Sequence, residues 1–152
     1  LVEKNLEMAE LINKHNAVSI HIRRGDYVLN QVTNSYHGTC SLKYYEQAIQ
    51  IIKNQTGNPI FFIFSDDQNW TKENLKIDFP HYFIDFNGPE KNYEDLRLMS
   101  LCKHNVIANS SFSWWGAWLN NNPQKIVIAP NQWFNDQKIN TKDLIPKTWI
   151  KI

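Results

Sequence analysis

Three short runs hold the residue types that could do chemistry: His21-Ile22-Arg23-Arg24-Gly25-Asp26-Tyr27, Phe64-Ser65-Asp66-Asp67, and Asn109-Ser110-Ser111-Phe112-Ser113-Trp114-Trp115-Gly116-Ala117. In the first, two adjacent arginines beside a glycine suit a diphosphate. Guanidinium forks match phosphate oxygens, and glycine lets the backbone come close. The same residues would also serve as a structural Arg–Asp pair at a strand end. In the second, a carboxylate can accept from a guanine's N1 and N2 hydrogens or from a sugar hydroxyl. Capping of the following helix is the competing role. In the third, small hydroxyl residues open a helix, whose free N–H groups and dipole form an anion site. Ordinary capping followed by tryptophan packing is the alternative there.

The runs occupy equivalent places in a repeating pattern. A helix is expected around Leu6, Ala9 and Ile12, and a strand over Val18–Ile22. Residues 27–40 are polar and read as a long loop. Ser41 caps a helix that presents Leu42, Tyr45, Ile49 and Ile52 on one face. Gly57-Asn58-Pro59 breaks the chain before the apolar run 60–64, the mark of a strand buried on both faces. A weaker helix over 70–76 and a short strand over 82–85 follow. Asn92 caps the next helix, with Glu94 and Asp95 in its first turn and Lys103 in its last. A strand over 105–108, a helix over 112–119 and a strand over 125–129 complete the pattern. The tail to Ile152 carries no clear signal.

Alternating strands and helices call for an α/β fold: a Rossmann-like parallel sheet with helices on both faces. One such domain is expected over residues 1–152. Open parallel sheets bind ligands beyond the carboxyl ends of their strands, where all three runs fall. Along the first strand, alternation puts His21 and Arg23 on one face and Arg24 near the turn.

Composition narrows the partners. The formal net charge is +1, so no nucleic acid or anionic membrane is selected by bulk charge. The six tryptophans are expected mainly in the core or at a partner surface. Cys40 and Cys102 lack metal or redox spacing and are expected as free thiols, with a disulfide left open. No apolar stretch is long enough to span a bilayer. Walker A, GxGxxG and HExxH motifs are absent, as is any metal-ligand cluster. The sequons at Asn54, Asn69 and Asn109 are expected to be coincidental.

Together, in this order and spacing, the three runs resemble the motifs of α-1,2-fucosyltransferases, glycosyltransferase family 11. The resemblance covers essentially the whole chain and corresponds to the C-terminal half of such enzymes. It implies a GT-B-like enzyme whose N-terminal acceptor domain lies outside this chain, which lacks an initiator Met. It further implies an inverting transfer of L-fucose from GDP-β-L-fucose to the 2-hydroxyl of a galactose-containing glycan, with no metal or other cofactor. Carried onto these positions, Arg24 binds the diphosphate and stabilises the leaving group. Arg23 assists or pairs structurally, His21 lines the donor site, and Asp66 or Asp67 reads guanine or ribose. Asn109, Ser110, Ser111 and Ser113 meet the phosphates. The general base is Asp26, His21 or a group in the other half. Arg24 is therefore expected to share one cavity with the Ser110–Ser113 turn. A protein of bacterial type is implied; with no signal or anchor in the sequence a cytoplasmic placement is expected, with peripheral association at the inner membrane left open. The rival readings are a non-catalytic GDP-sugar binding module and a fucosyltransferase of different linkage.

Overall fold

The computed structural model describes residues 2–136 and 138–152. In chain order the elements are α1 (Val2–Lys14), β1 (Ala17–Ile22), α2 (Gly25–Leu29), α3 (Gln31–His37), α4 (Leu42–Gln55), β2 (Ile60–Ser65), α5 (Gln68–Asn74) and β3 (His81–Ile84). A single 3₁₀ turn (Pro89–Lys91) leads into α6 (Asn92–Leu101), β4 (His104–Val106), α7 (Ser111–Trp118), β5 (Val127–Ala129) and β6 (Ile150–Lys151).

The strands form one six-stranded parallel sheet in the order β3-β2-β1-β4-β5-β6. Alternation along β1 and β2 divides the core. Val18, Ile20, Ile22, Phe61 and Ile63 pack with Tyr44, Tyr45, Ala48, Ile49 and Ile52 of α4. Ala17, Phe62 and Phe64 point the other way, onto Ala9 and Ile12 of α1 and Leu98 and Met99 of α6. Helices therefore cover both faces, and every residue of β1 is buried. This is the Rossmann-like architecture anticipated from the alternating pattern.

Helix α4 also ties the strand ends to one another. Ser41 caps it, its hydroxyl accepting from the Tyr44 N–H at 3.1 Å. Tyr44 Oη donates toward the carbonyls of Ile107 (2.6 Å) and Ile128 (3.1 Å), and Tyr45 Oη donates to the His21 carbonyl at 2.9 Å. Buried phenols thus hold the C-terminal ends of β1, β4 and β5, where the polar runs begin.

The structure corrects several expected boundaries. Residues 27–40 are not one loop but contain the end of α2 and all of α3. Asn30 caps α3 by accepting from the N–H groups of Val32 and Thr33. Gly38, at φ 66°, ends it in the left-handed region that glycine tolerates. The apolar residues here face solvent (Leu29 is 87% and Val32 78% exposed), so no periodic core face marked the helices. Helix α6 starts at Asn92 with Lys91 as its N-cap, and stops at Leu101 because Cys102 is extended. Lys103 therefore lies beyond the helix and donates to the His15 carbonyl at 2.6 Å. The tail supplies β6 and buries Trp133 and Trp149 against Ala117 and Ala129. Cys40 and Cys102 are both free thiols. Among the described residues no helix is long and apolar enough to cross a membrane.

Candidate functional site

Strand order places the site. The chain runs outward from β1 through β2 to β3, then returns to the other side of β1 to lay down β4. Loops leaving β1 and β4 therefore diverge, and parallel sheets open a crevice at such a reversal. A cavity of about 610 Å³ lies there, large enough for a nucleotide sugar. His21, Arg23 and Tyr27 line it from the end of β1, Ser65 and Asp66 from β2, and Ser110, Ser111 and Phe112 from the start of α7. Asn87, Asn92 and Asp95 form the wall that follows β3.

Arg23 is the cation of this cavity. Its Nη1 donates to Asp66 Oδ2 at 2.6 Å, and its Nη2 donates to Asp26 Oδ1. The guanidinium also lies 4.9 Å from the centroid of the Tyr27 ring. Asp66 is fully engaged, because its Oδ1 accepts from the Arg24 backbone N–H at 2.8 Å. Gly25 is required by this packing, since a Cβ there would collide with the Asp66 carboxylate.

Arg24 does not meet the serine-rich turn as expected. It is not among the residues lining the cavity. Its guanidinium stacks on Trp70 of α5, 3.6 Å from the ring centroid. The reason is the pleat: His21 and Arg23 share one face, and Arg24 falls past the strand end toward α5. Asp67 is likewise directed elsewhere, capping α5 by accepting from the Trp70 N–H at 3.2 Å.

The third run splits into two roles. Ser110 and Ser111 line the cavity. Ser110 is the N-cap of α7 yet its side chain makes no capping bond, so the first-turn N–H groups are left for an anion. Ser113 is buried instead, its hydroxyl accepting from the Ala108 N–H at 3.2 Å and donating to the Ser110 carbonyl at 3.4 Å. Asn109 is buried too. Its Nδ2 donates toward the carbonyls of His37, Gly38 and Trp133. It clamps the end of α3 and the segment after β5 against the start of α7. Asn109 and Ser113 therefore shape the site from behind and do not line it.

His21 is 5% exposed, and its ring lies 5.5 Å from that of Phe112. Burial, reinforced by the nearby Arg23 charge, pushes its pKa down to about 3. The imidazole is therefore neutral at physiological pH and too weakly basic to hold a proton. Its Nδ1 is buried with no hydrogen-bond partner. Burial also raises the Tyr27 hydroxyl above its ordinary value.

The sequence reading gave Asp95 only a helix-dipole role, and it turns out to be a wall residue. Burial pushes its carboxyl up to about 6, aided by Glu94 and opposed by a hydrogen bond from Asn87. Its place in the cavity depends on how the chain after β3 folds back, which no local pattern encodes. Among the described residues no group of three or more His, Cys, Asp or Glu is placed to hold a metal ion.

Residues 2–152 match the family described as Glycosyl transferase family 11. The chain is 43% identical over 150 residues to alpha-1,2-colitosyltransferase of Escherichia coli, covering 96% of this chain and 51% of that protein. It is 43% identical over 139 residues to the O-antigen biosynthesis glycosyltransferase WbnK of Escherichia coli, covering 90% of this chain and 45% of that protein. Galactoside alpha-(1,2)-fucosyltransferase 1 of Mus musculus is 33% identical over 110 residues, covering 71% of this chain and 29% of that protein. The chain thus spans about half the length of the two bacterial relatives.

Proposed function

The chain belongs to glycosyltransferase family 11, and from that premise we propose that its cavity binds GDP-β-L-fucose for transfer to the 2-hydroxyl of a galactose-ended glycan. The single observation that carries the donor reading is the convergence of Arg23 and the uncapped start of α7 on one cavity. A diphosphate placed there exchanges the Arg23 carboxylate partners for phosphate oxygens and accepts from the helix N–H groups. As the sugar–phosphate bond breaks, charge builds on the departing GDP, and these fixed donors stabilise it more than the ground state. No metal is needed for that step in this proposal.

Inversion requires the acceptor oxygen to attack from the face opposite the leaving group, losing its proton to a base. Neutral His21 is a hydrogen-bonding wall in this scheme rather than the base. Asp26, exposed beside Arg23, is the candidate base that this chain supplies. When Arg23 turns to the diphosphate, Asp26 is released to accept a proton. The relative named for O-antigen biosynthesis supports an acceptor of the surface-polysaccharide type.

A second donor has a specific observation behind it, the 43% identity to a colitosyltransferase. Colitose is L-fucose without its 3-hydroxyl, so both fit one diphosphate site. The test incubates the full-length protein carrying this chain with GDP-fucose or GDP-colitose and a galactose-ended acceptor, with product linkage assigned by NMR. An α-1,2-fucosylated product is expected. Transfer of colitose alone would replace the donor. GDP binding with no transfer from either donor would leave a binding module and refute the enzyme reading.

A further inference from the structure

We propose that Asp95 reads the donor's nucleobase, its carboxylate accepting the N1 and N2 hydrogens of guanine, and that Asn5 of α1 holds it in position through Asn87. The inference rests on the donor-site reading above and adds the residue that selects the base.

Asp26, Asp66 and Asp67 stand near the carboxyl end of the sheet with partners already, Asp26 paired with Arg23. Asp66 binds Arg23 through one oxygen and the Arg24 N–H through the other, and it keeps the Arg24 N–H and its place beside Arg23 when Arg23 turns to a diphosphate. Asp67 caps α5. Asp95 lines the same cavity but makes no ion pair among the described residues. Its one hydrogen bond comes from Asn87 Nδ2 to Oδ1 at 2.8 Å. A half-buried carboxylate in a cavity wall, with Oδ2 unpartnered, is built for a ligand that brings N–H or O–H groups.

The support behind it is rigid. Asn87 and Asn5 exchange two hydrogen bonds, Asn5 Nδ2 to Asn87 Oδ1 at 2.8 Å and Asn87 Nδ2 to Asn5 Oδ1 at 2.9 Å. Asn5 is 2% exposed, so the pair is anchored in the core. Asn87 Nδ2 uses both hydrogens, one on Asn5 and one on Asp95. That fixes the amide orientation and leaves Asn87 no side-chain hydrogen to compete with a ligand's donors for Asp95.

The wall's position suits the base rather than the transferred sugar. The sugar must meet an acceptor from outside, and Asp26, beside Arg23, is the exposed carboxylate of the site. Asp95 instead belongs to a wall rooted in the core. His21 and Phe112 line the same space. Guanine offers two adjacent N–H donors on one edge. Adenine would set its N1 lone pair against a carboxylate oxygen, and uracil offers a single donor between two carbonyls. A carboxylate therefore selects guanine among these bases.

The test titrates the full-length protein with GDP, with IDP (which lacks the 2-amino group) and with pyrophosphate. The wild type is expected to bind GDP about tenfold or more tightly than IDP, as for one hydrogen bond to a charged group. Asp95→Asn should bring that ratio close to one while leaving pyrophosphate affinity within about twofold. Asn5→Ala should lower the ratio in the same direction without touching the phosphate end. An unchanged GDP-to-IDP ratio in a folded Asp95→Asn protein overturns the inference, as does a wild type with no preference for GDP. In both cases the donor-site reading stands. Failure of the wild type to bind either GDP or pyrophosphate overturns the donor-site reading and this inference with it.

Discussion

Neighbouring arginines with different surroundings give the sharpest test of the site. Arg23 points into the cavity between Asp66 and Asp26, whereas Arg24 stacks on Trp70. Two hydrogen bonds from the Arg23 fork to a diphosphate contribute about 2 kcal/mol each. Against this stands about 1 kcal/mol for giving up its partly exposed carboxylate partners. Arg23→Ala should therefore weaken GDP binding by about 3 kcal/mol, or about 150-fold. Asp66 and Asp26, left without their cation, push in the same direction. Arg24→Ala should lose a cation–π contact, reducing stability by about 1 kcal/mol. Its GDP affinity should stay within about threefold of wild type. Isothermal titration with GDP, paired with denaturant unfolding of each variant, measures both quantities. If a folded Arg24→Ala protein loses as much affinity as Arg23→Ala, or Arg23→Ala binds GDP normally, the assignment of the anion site to Arg23 is wrong.

The remaining predictions concern stability. Asn109→Ala removes the donor to three backbone carbonyls and should cost about 3 kcal/mol, lowering the melting temperature by about 10 °C in a thermal scan. His21 has a folded pKa of about 3 against an ordinary 6.5, so below pH 6.5 the unfolded chain takes up a proton that the folded chain refuses. Its contribution is intact above pH 6.5 and is lost progressively as the pH falls toward 3. Asp95, with its carboxyl raised to about 6, acts in the opposite sense between pH 6 and 4. His21→Asn should therefore shrink the loss of stability between pH 6.5 and 5 by about 2 kcal/mol, as read by urea unfolding at the two pH values.

Much of the sheet was legible because the buried strands announce themselves. Continuous apolar runs such as Ile60–Phe64 and the break at Gly57-Asn58-Pro59 leave few alternatives. The placement of Arg23 was legible as well: pleat alternation set His21 and Arg23 on one face, and the structure follows the pleat. Motif resemblance had given the diphosphate to Arg24, but similarity between motifs cannot say which of two adjacent arginines turns inward. Asp95 was hidden for a different reason. Its partner Asn87 and the Asn5 that holds Asn87 are eight and ninety residues away along the chain, and only tertiary packing brings the three together. Helices α2 and α3 escaped because they bury no periodic face.

The reversal of strand order also bears on when the site comes into being. Val18 and Ile20 of β1 pair with His104 and Val106 of β4, so 86 residues separate partners that lie side by side. Closing that loop is expected to be slower than forming the β1–α4–β2 unit, whose paired strands are 43 residues apart (Ala17 to Ile60). Until that closure, Arg23 and the start of α7 stand on unconnected pieces of chain. If the cavity binds a nucleotide as proposed, that affinity is expected to appear late in a refolding experiment, timing the docking of the two halves of the sheet.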